Sequence, residues 1–180
     1  MNIKRIVITG GPGTGKSSII TELLKRGYTC LEEISRQVIL DARKDGIDQL
    51  FLKDPLLFSK LLLEGRKKQY LEALDYKDPL VFMDRGLPDV LAYMDFIGDT
   101  YPSDFKEICK THVYDYVFIL EPWQEIFTQD NERYESFEQA VKIHHHLLET
   151  YQKYDYNLLD VPFDSVESRA NHILEVIKSM

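Results

Sequence analysis

Apolar residues arrive along this chain in short bursts, and the spacing inside each burst is of two kinds. Ile3, Ile6, Val7 and Ile8 form a compact run that predicts a buried strand. Ser18-Ile19-Ile20-Thr21-Glu22-Leu23-Leu24-Lys25-Arg26 then carries its apolar residues at helical spacing. Tyr28-Thr29-Cys30-Leu31-Glu32 predicts a short second strand, and Ile34, Val38 and Ile39 begin a helix that fades near Asp45-Gly46. From Leu56 to Leu74, apolar residues at 57, 58, 61, 62, 70, 71 and 74 predict a long amphipathic helix, with Pro55 suited to its first turn. Leu80-Val81-Phe82-Met83 is a third, wholly apolar strand that runs into Asp84-Arg85-Gly86. Helices from about Pro88 to Phe96 and about Ser103 to Lys110 precede a fourth strand, Tyr116-Val117-Phe118-Ile119-Leu120. A helix from about Phe137 to Tyr154, a fifth strand over Asn157-Leu158-Leu159-Asp160-Val161 and a last helix complete the order. Asp164 or Ser165 is expected to cap that last helix, with Glu167 as a capping-box partner.

Strands that alternate with helices, with no internal repeat or low-complexity tract, predict an α/β fold whose parallel sheet is covered on both faces. Ligands on such sheets bind at the carboxyl ends of the strands, and this rule selects the residues that matter.

The strongest of them follow the first strand. Gly10-Gly11-Pro12-Gly13-Thr14-Gly15-Lys16-Ser17 matches the P-loop (Walker A) pattern G-x-x-x-x-G-K-[ST] at every position. Glycines between strand and helix let backbone N–H groups turn inward around an oxyanion, and the helix behind adds unpaired N–H groups and the positive end of its dipole. Gly11, Gly13, Thr14, Gly15, Lys16, Ser17 and Ser18 are therefore the candidate nucleotide-binding residues. Lys16 would bridge the outer phosphates, and the Ser17 hydroxyl would ligate Mg²⁺.

Composition narrows the partners. With 180 residues, 44% hydrophobic, the chain has enough apolar material for one packed domain. Its net charge of −8 is uneven: the first thirty residues hold Lys4, Arg5, Lys16, Lys25 and Arg26 against Glu22 alone. Positive charge thus gathers beside the phosphate site, while the rest would repel a polyanion, so nucleic acid is not an expected partner. Cys30 and Cys109 make no disulfide framework and no metal-ligand spacing. Neither a signal-peptide core nor an apolar run long enough to span a bilayer is present, and we expect a cytoplasmic protein without a membrane partner.

Further candidates sit at the other strand ends. Asp84 ends the third strand, where a carboxylate holds Mg²⁺ opposite Ser17 or caps the helix after Gly86. The next residue is Arg85 rather than the Glu a motor-type ATPase uses to activate water, which favours transfer of the γ-phosphoryl group over hydrolysis. Glu33 and Arg36, three residues apart after the second strand, fit a catalytic carboxylate and an anion-holding arginine, or else a surface ion pair. Asp89, one turn beyond Arg85, would orient it, touch substrate or cap the helix. Arg133, in the polar stretch 129–135, would close over the γ-phosphate or stay solvated. His144-His145-His146 cannot converge on one ion, since consecutive helical residues point about 100° apart, and solvated histidines are expected. Trp123 reads as a packing residue, and the turn over Val161-Pro162-Phe163-Asp164 would flank a base. The guanine-reading Asn-Lys-x-Asp tetrapeptide is absent, so ATP is the expected nucleotide with GTP left open.

Gly10–Ser17, Glu33-Ile34-Ser35-Arg36, Asp84-Arg85-Gly86-Leu87-Pro88-Asp89 with Tyr93, Asn131-Glu132-Arg133-Tyr134 and Val166-Glu167-Ser168-Arg169 together resemble one family, over nearly the whole chain. It is the small AAA-type ATPase domain similar to the ribosylnicotinamide kinase half of a bacterial bifunctional NAD-biosynthesis regulator. The resemblance implies a nucleoside- or nucleotide-kinase fold with strand order 2-3-1-4-5 and a lid, about residues 122–136, bearing Arg133. It also implies that Glu33 faces the acceptor hydroxyl and that Asp84 and Arg85 form the pair after the third strand. The family includes a eukaryotic branch resembling GTP-binding regulators, so an NTP hydrolase or a nucleotide-dependent switch or binding protein is the alternative to a kinase. The leading expectation is an ATP- and Mg²⁺-dependent kinase of a small nucleoside-like acceptor. In it Lys16, Glu33, Asp84 and Arg133 are catalytic, Arg36, Arg85 and Asp89 hold substrate, and Ser17 and Asp84 hold the metal. A monomer and a homodimer fit equally well.

Overall fold

A computed structural model describes residues 3–128 and 135–180. Five strands form one sheet: β1 (Lys4–Gly10), β2 (Thr29–Leu31), β3 (Leu80–Asp84), β4 (Tyr116–Leu120) and β5 (Leu158–Val161). Every neighbouring pair is parallel and the order is β2-β3-β1-β4-β5, the arrangement of the nucleoside- and nucleotide-kinase P-loop fold. Between the strands run α1 (Lys16–Lys25), α2 (Ile34–Lys44), α3 (Leu50–Lys53), α4 (Pro55–Glu72), α5 (Leu87–Ile97), α6 (Ser103–Thr111), α7 (Phe137–Lys153) and α8 (Val166–Ser179).

Successive strand residues point to opposite faces, and the three central strands are apolar on both. Ile6, Ile8, Phe82, Phe118 and Leu120 pack with Ile19 and Leu23 of α1 and Ile173 of α8. Val7, Val81, Met83, Val117 and Ile119 face the other way, onto Leu62 of α4, Leu87 and Leu91 of α5, and Leu147 of α7. These two cores set the P-loop above β1 and the β3 terminus beside it, because Ile8 pairs with Asp84 in the register.

Helix ends follow the sequence closely. Asp54 caps α4 by accepting from the Leu57 N–H at 2.9 Å, with Pro55 in the first turn. Ser136 and Gln139 close a capping box on α7. Ser165, not Asp164, caps α8, and its partner amide is Ser168, so the expected box with Glu167 does not form: Glu167 falls one position short of the residue a box requires. The short helix α3 lies in a stretch with no predicted element, since four residues are too few to show a period. Among the described residues no helix is long and apolar enough to cross a membrane.

Phe118 is fully buried in the α1/α8 core. Phe118→Ala should cost about 3–5 kcal/mol of stability, read as a lowered urea midpoint.

Candidate active site

The P-loop is held open by its neighbours. Gly13 and Gly15 adopt φ of 72° and 87°, the left-handed region that favours glycine. A Cβ on Gly13 would meet the Phe127 ring at 2.5 Å, and one on Gly15 would meet the Arg169 guanidinium at 2.7 Å. Gly15 is the N-cap of α1 and no side chain caps that end, so the first amides of the helix stay available to an anion. Ser17 and Ser18 are exposed there, and Thr14 is buried with its hydroxyl donating to the Gly11 carbonyl at 3.0 Å. Lys16 is buried and folds back on the loop, donating to the Gly10 and Gly11 carbonyls at 2.9 and 2.6 Å. Burial, with Arg85 nearby, pushes its ammonium down to about 7.

Beside the loop, three carboxylates and three cations share one buried neighbourhood. Arg85 is the hub. Its backbone sits at φ 74°, a conformation costly for a side-chain-bearing residue and kept by its surroundings. Its N–H donates to the Ile8 carbonyl, and its guanidinium reaches Glu33 at 2.8 Å, the Gly10 carbonyl at 3.1 Å and Asp89 at 3.2 Å. Glu33 is the N-cap residue of α2, which aims its carboxylate at Arg85 and, at 3.8 Å, at Arg66. Burial alone would raise the Glu33 carboxyl, but Arg85 and Arg66 hold it down to about 2. Asp89 is saturated: it accepts from Thr9 at 2.5 Å, Tyr151 at 2.6 Å, the Gly86 amide at 2.9 Å and Arg85. It orients Arg85 and caps α5 at once, and both its oxygens are engaged within the protein.

Asp84 differs from these. It is buried, and its Oδ1 has no hydrogen-bond partner among the described residues. Burial, with Glu33 close by, raises its carboxyl above the usual range. A buried carboxylate oxygen without a partner at a strand end, and a P-loop serine hydroxyl with no hydrogen bond among the described residues, are oxygen donors of the kind a hard divalent cation takes. Ser17 and Asp84 therefore fit Mg²⁺.

Two spaces meet at the Glu33–Arg85 pair. A cavity of about 400 Å³ is lined by Gly13 to Ser18, Glu33, Arg36 and Arg85. A second, of about 190 Å³, is walled by Phe51, Phe58, Leu62, Val90, Tyr93 and Leu147 and has Glu33, Arg66, Arg85 and Asp89 along it. Arg36 is exposed and lines the first cavity together with Glu33, whose carboxylate is paired with Arg85. Arg133 lies outside the described residues, as do Asn131, Glu132 and Tyr134.

Two arginines complete the site, and their positions alone did not mark them. Arg66 is buried on the core side of α4 and donates to the Gly86 carbonyl at 3.1 Å. Its signal is a cation at a helical core position, four residues after Leu62. Arg169 is buried under the loop, and both of its terminal nitrogens donate to the Thr14 carbonyl at 3.1 Å. It also lies 5.7 Å from the Trp123 ring, which stacks on Phe163 at 5.1 Å. Trp123 is thus a packing residue, and one face of Phe163 is occupied by it. His144 is buried rather than solvated, because its position on α7 faces the sheet, and His145 is exposed. Among the described residues no cluster of three or more His, Cys, Asp or Glu is shaped for a metal.

Removing Asp89 leaves a guanidinium, two hydroxyls and an amide without their acceptor. Asp89→Ala should destabilise the protein by about 3–5 kcal/mol in urea unfolding, against about 1 kcal/mol for Tyr151→Phe. For Lys16 the sign is set by its depressed pKa in the free protein. Below pH 7 it is already charged, while above 7 a polyphosphate must bring the proton with it. ATP affinity should fall by up to about tenfold per pH unit above 7, with proton uptake seen by calorimetry in buffers of different ionisation heat. Lys16→Arg, which does not titrate, should lose that slope.

A family model described as an AAA domain matches residues 5–169. No curated protein sequence matches the chain significantly. Among solved structures it is similar to deoxyadenosine kinase from M. mycoides, with a TM-score of 0.71 at 18% identity over 98% of this chain and 100% of that one. It is similar also to NadR in complex with NR, TM-score 0.74 at 14% identity, over 98% of this chain and 50% of that one. Thymidylate kinase from Ehrlichia chaffeensis follows at 0.65 and 14%, over 98% of this chain and all of that one. At these identities the likeness is one of fold. The chain belongs to the AAA-domain family of P-loop proteins.

Proposed function

We propose that this protein transfers the γ-phosphoryl group of ATP to a hydroxyl of a small nucleoside-like metabolite. The observation that carries the reading is the Glu33–Arg85 pair at the junction of a polyphosphate-sized cavity and an apolar one. A hydrolase needs only water there, whereas the aromatic-walled second cavity suits an organic acceptor with a ring. The fold neighbours described with bound dATP or with AMP-PNP support a nucleoside triphosphate as donor.

In this reading the loop amides and Lys16 hold the β- and γ-phosphates. Mg²⁺ held by Ser17 and Asp84 would offset charge on the same oxygens. The acceptor hydroxyl hydrogen-bonds to Glu33. Its oxygen forms the new bond to phosphorus as the bond to the β–γ bridging oxygen breaks, and its proton passes to the carboxylate. A carboxylate held near 2 is a weak base, so it acts late, by orienting the hydroxyl and taking the proton once the oxygen is bonding. Arg85 holds the acceptor side, and Arg36 stands at the rim of the phosphate cavity. Asp89 serves by fixing Arg85.

A coupled ADP-release screen over nucleosides, sugars and vitamins, with ATP and GTP compared as donors, tests this. Lys16→Ala should weaken nucleotide binding at least tenfold, while Glu33→Gln should keep binding and lower kcat about 10²–10⁴-fold with the best acceptor. Phosphate release that is fast without any acceptor would make the protein a hydrolase. Unchanged kcat in Glu33→Gln would remove that residue from the chemistry.

A further inference from the structure

The outer face of α4 carries a pattern that the fold itself does not use. Its core side is Phe58, Leu62, Leu63, Arg66 and Gln69. On the opposite side Leu57, Leu61, Glu64, Lys68 and Leu71 follow one another at steps of four, three, four and three. The three leucines are 41%, 36% and 49% exposed, and Glu64 and Lys68 are exposed as well. Steps of four and three make the seam of a paired helix, and a helix that only faces water gains nothing from them. We propose that this face is where two copies of the chain pair, α4 against α4, antiparallel across a twofold axis.

Charge chooses the occupant and its direction. In an antiparallel helix pair the two seam positions of the heptad meet each other. Leu61 of each copy then lies against Leu71 of the other, and Glu64 against Lys68, each contact occurring twice about the axis. A parallel pair would set Glu64 on Glu64 and Lys68 on Lys68. The seam is therefore complementary to itself in one orientation only, which a surface for an unrelated partner has no reason to be. Among the described residues Lys68 pairs with Glu72 of its own helix, at 3.5 Å. Further apolar surface lies at both ends of the seam, where Leu56 is 41% and Leu74, in the turn after α4, 57% exposed. The twofold axis brings Leu56 of one copy towards Leu74 of the other. An interface of standard size takes about 800 Å² per partner, more than one seam supplies, and these flanks extend it. The pairing does not depend on the reaction assigned above, since none of its residues lines the two cavities.

Sedimentation velocity on the full chain over a wide concentration series tests it. The wild type should be a dimer. Glu64→Lys, which sets lysines against Lys68 twice, should raise the dissociation constant at least about tenfold. Glu64→Lys combined with Lys68→Glu should restore the dimer. Mild oxidation should cross-link the Leu61→Cys, Leu71→Cys double variant into a covalent dimer and leave Leu61→Cys alone uncross-linked. Leu61→Lys serves as a second disrupting variant, and unchanged circular dichroism and nucleotide binding show that each variant is folded. A wild type that stays monomeric throughout, or a dimer indifferent to Glu64→Lys and Leu61→Lys, overturns the proposal. Cross-linking by Leu61→Cys alone overturns the antiparallel arrangement.

Discussion

Six charges gathered in one small volume, four of them buried and two half-buried, are the constraint around which this molecule is built. Lys16, Arg66 and Arg85 face Glu33, Asp84 and Asp89, and none of them would be tolerated alone at that depth. Arg85 ties the set together, contacting two of the carboxylates and the carbonyl of the first P-loop glycine. To do so it holds a backbone conformation that a side chain disfavours. The cost is sustained because β3 ends beside β1, and because Asp89 is gripped by Thr9 and Tyr151 from opposite sides of the site.

The same cluster divides labour among its carboxylates by surroundings alone. Asp89, with every oxygen engaged, is structural. Glu33, pinned by two guanidinium groups, stays ionised far below neutral pH. Asp84, buried and left with an unpartnered oxygen, is the one whose carboxyl is raised, because burial and the nearby Glu33 outweigh the surrounding cations. Chemically similar side chains after two neighbouring strands, β2 and β3, thus differ in state: one braced on both oxygens, one pinned by guanidinium groups and one with an oxygen left unpartnered.

The phosphate cradle depends on a comparable division. Glycine is required at two positions by backbone angle and by contact, with Phe127 and the Arg169 guanidinium filling the space a side chain would need. Arg169 ties down the Thr14 carbonyl with both terminal nitrogens, as Lys16 does the Gly10 and Gly11 carbonyls, so these loop acceptors are engaged within the protein. A cation buried beneath an anion site also lowers the work of bringing a polyphosphate onto it.

By itself the sequence determined the alternation of strands and helices, the phosphate loop and its nucleotide chemistry, and the strand ends at which Asp84, Arg85 and Glu33 stand. These are legible because periodicity and a glycine pattern are local properties, set by residues within a few positions of one another. Only the tertiary structure decided that Glu33 pairs with Arg85, that Asp89 is wholly engaged, that Arg66 and Arg169 are buried against the Gly86 and Thr14 carbonyls, and that His144 is buried. Each of those facts depends on contacts between residues far apart in the chain, such as Arg169 with Thr14 or Tyr151 with Asp89. No spacing along a single segment encodes such a contact, because its partner is chosen by the order in which the strands lie side by side.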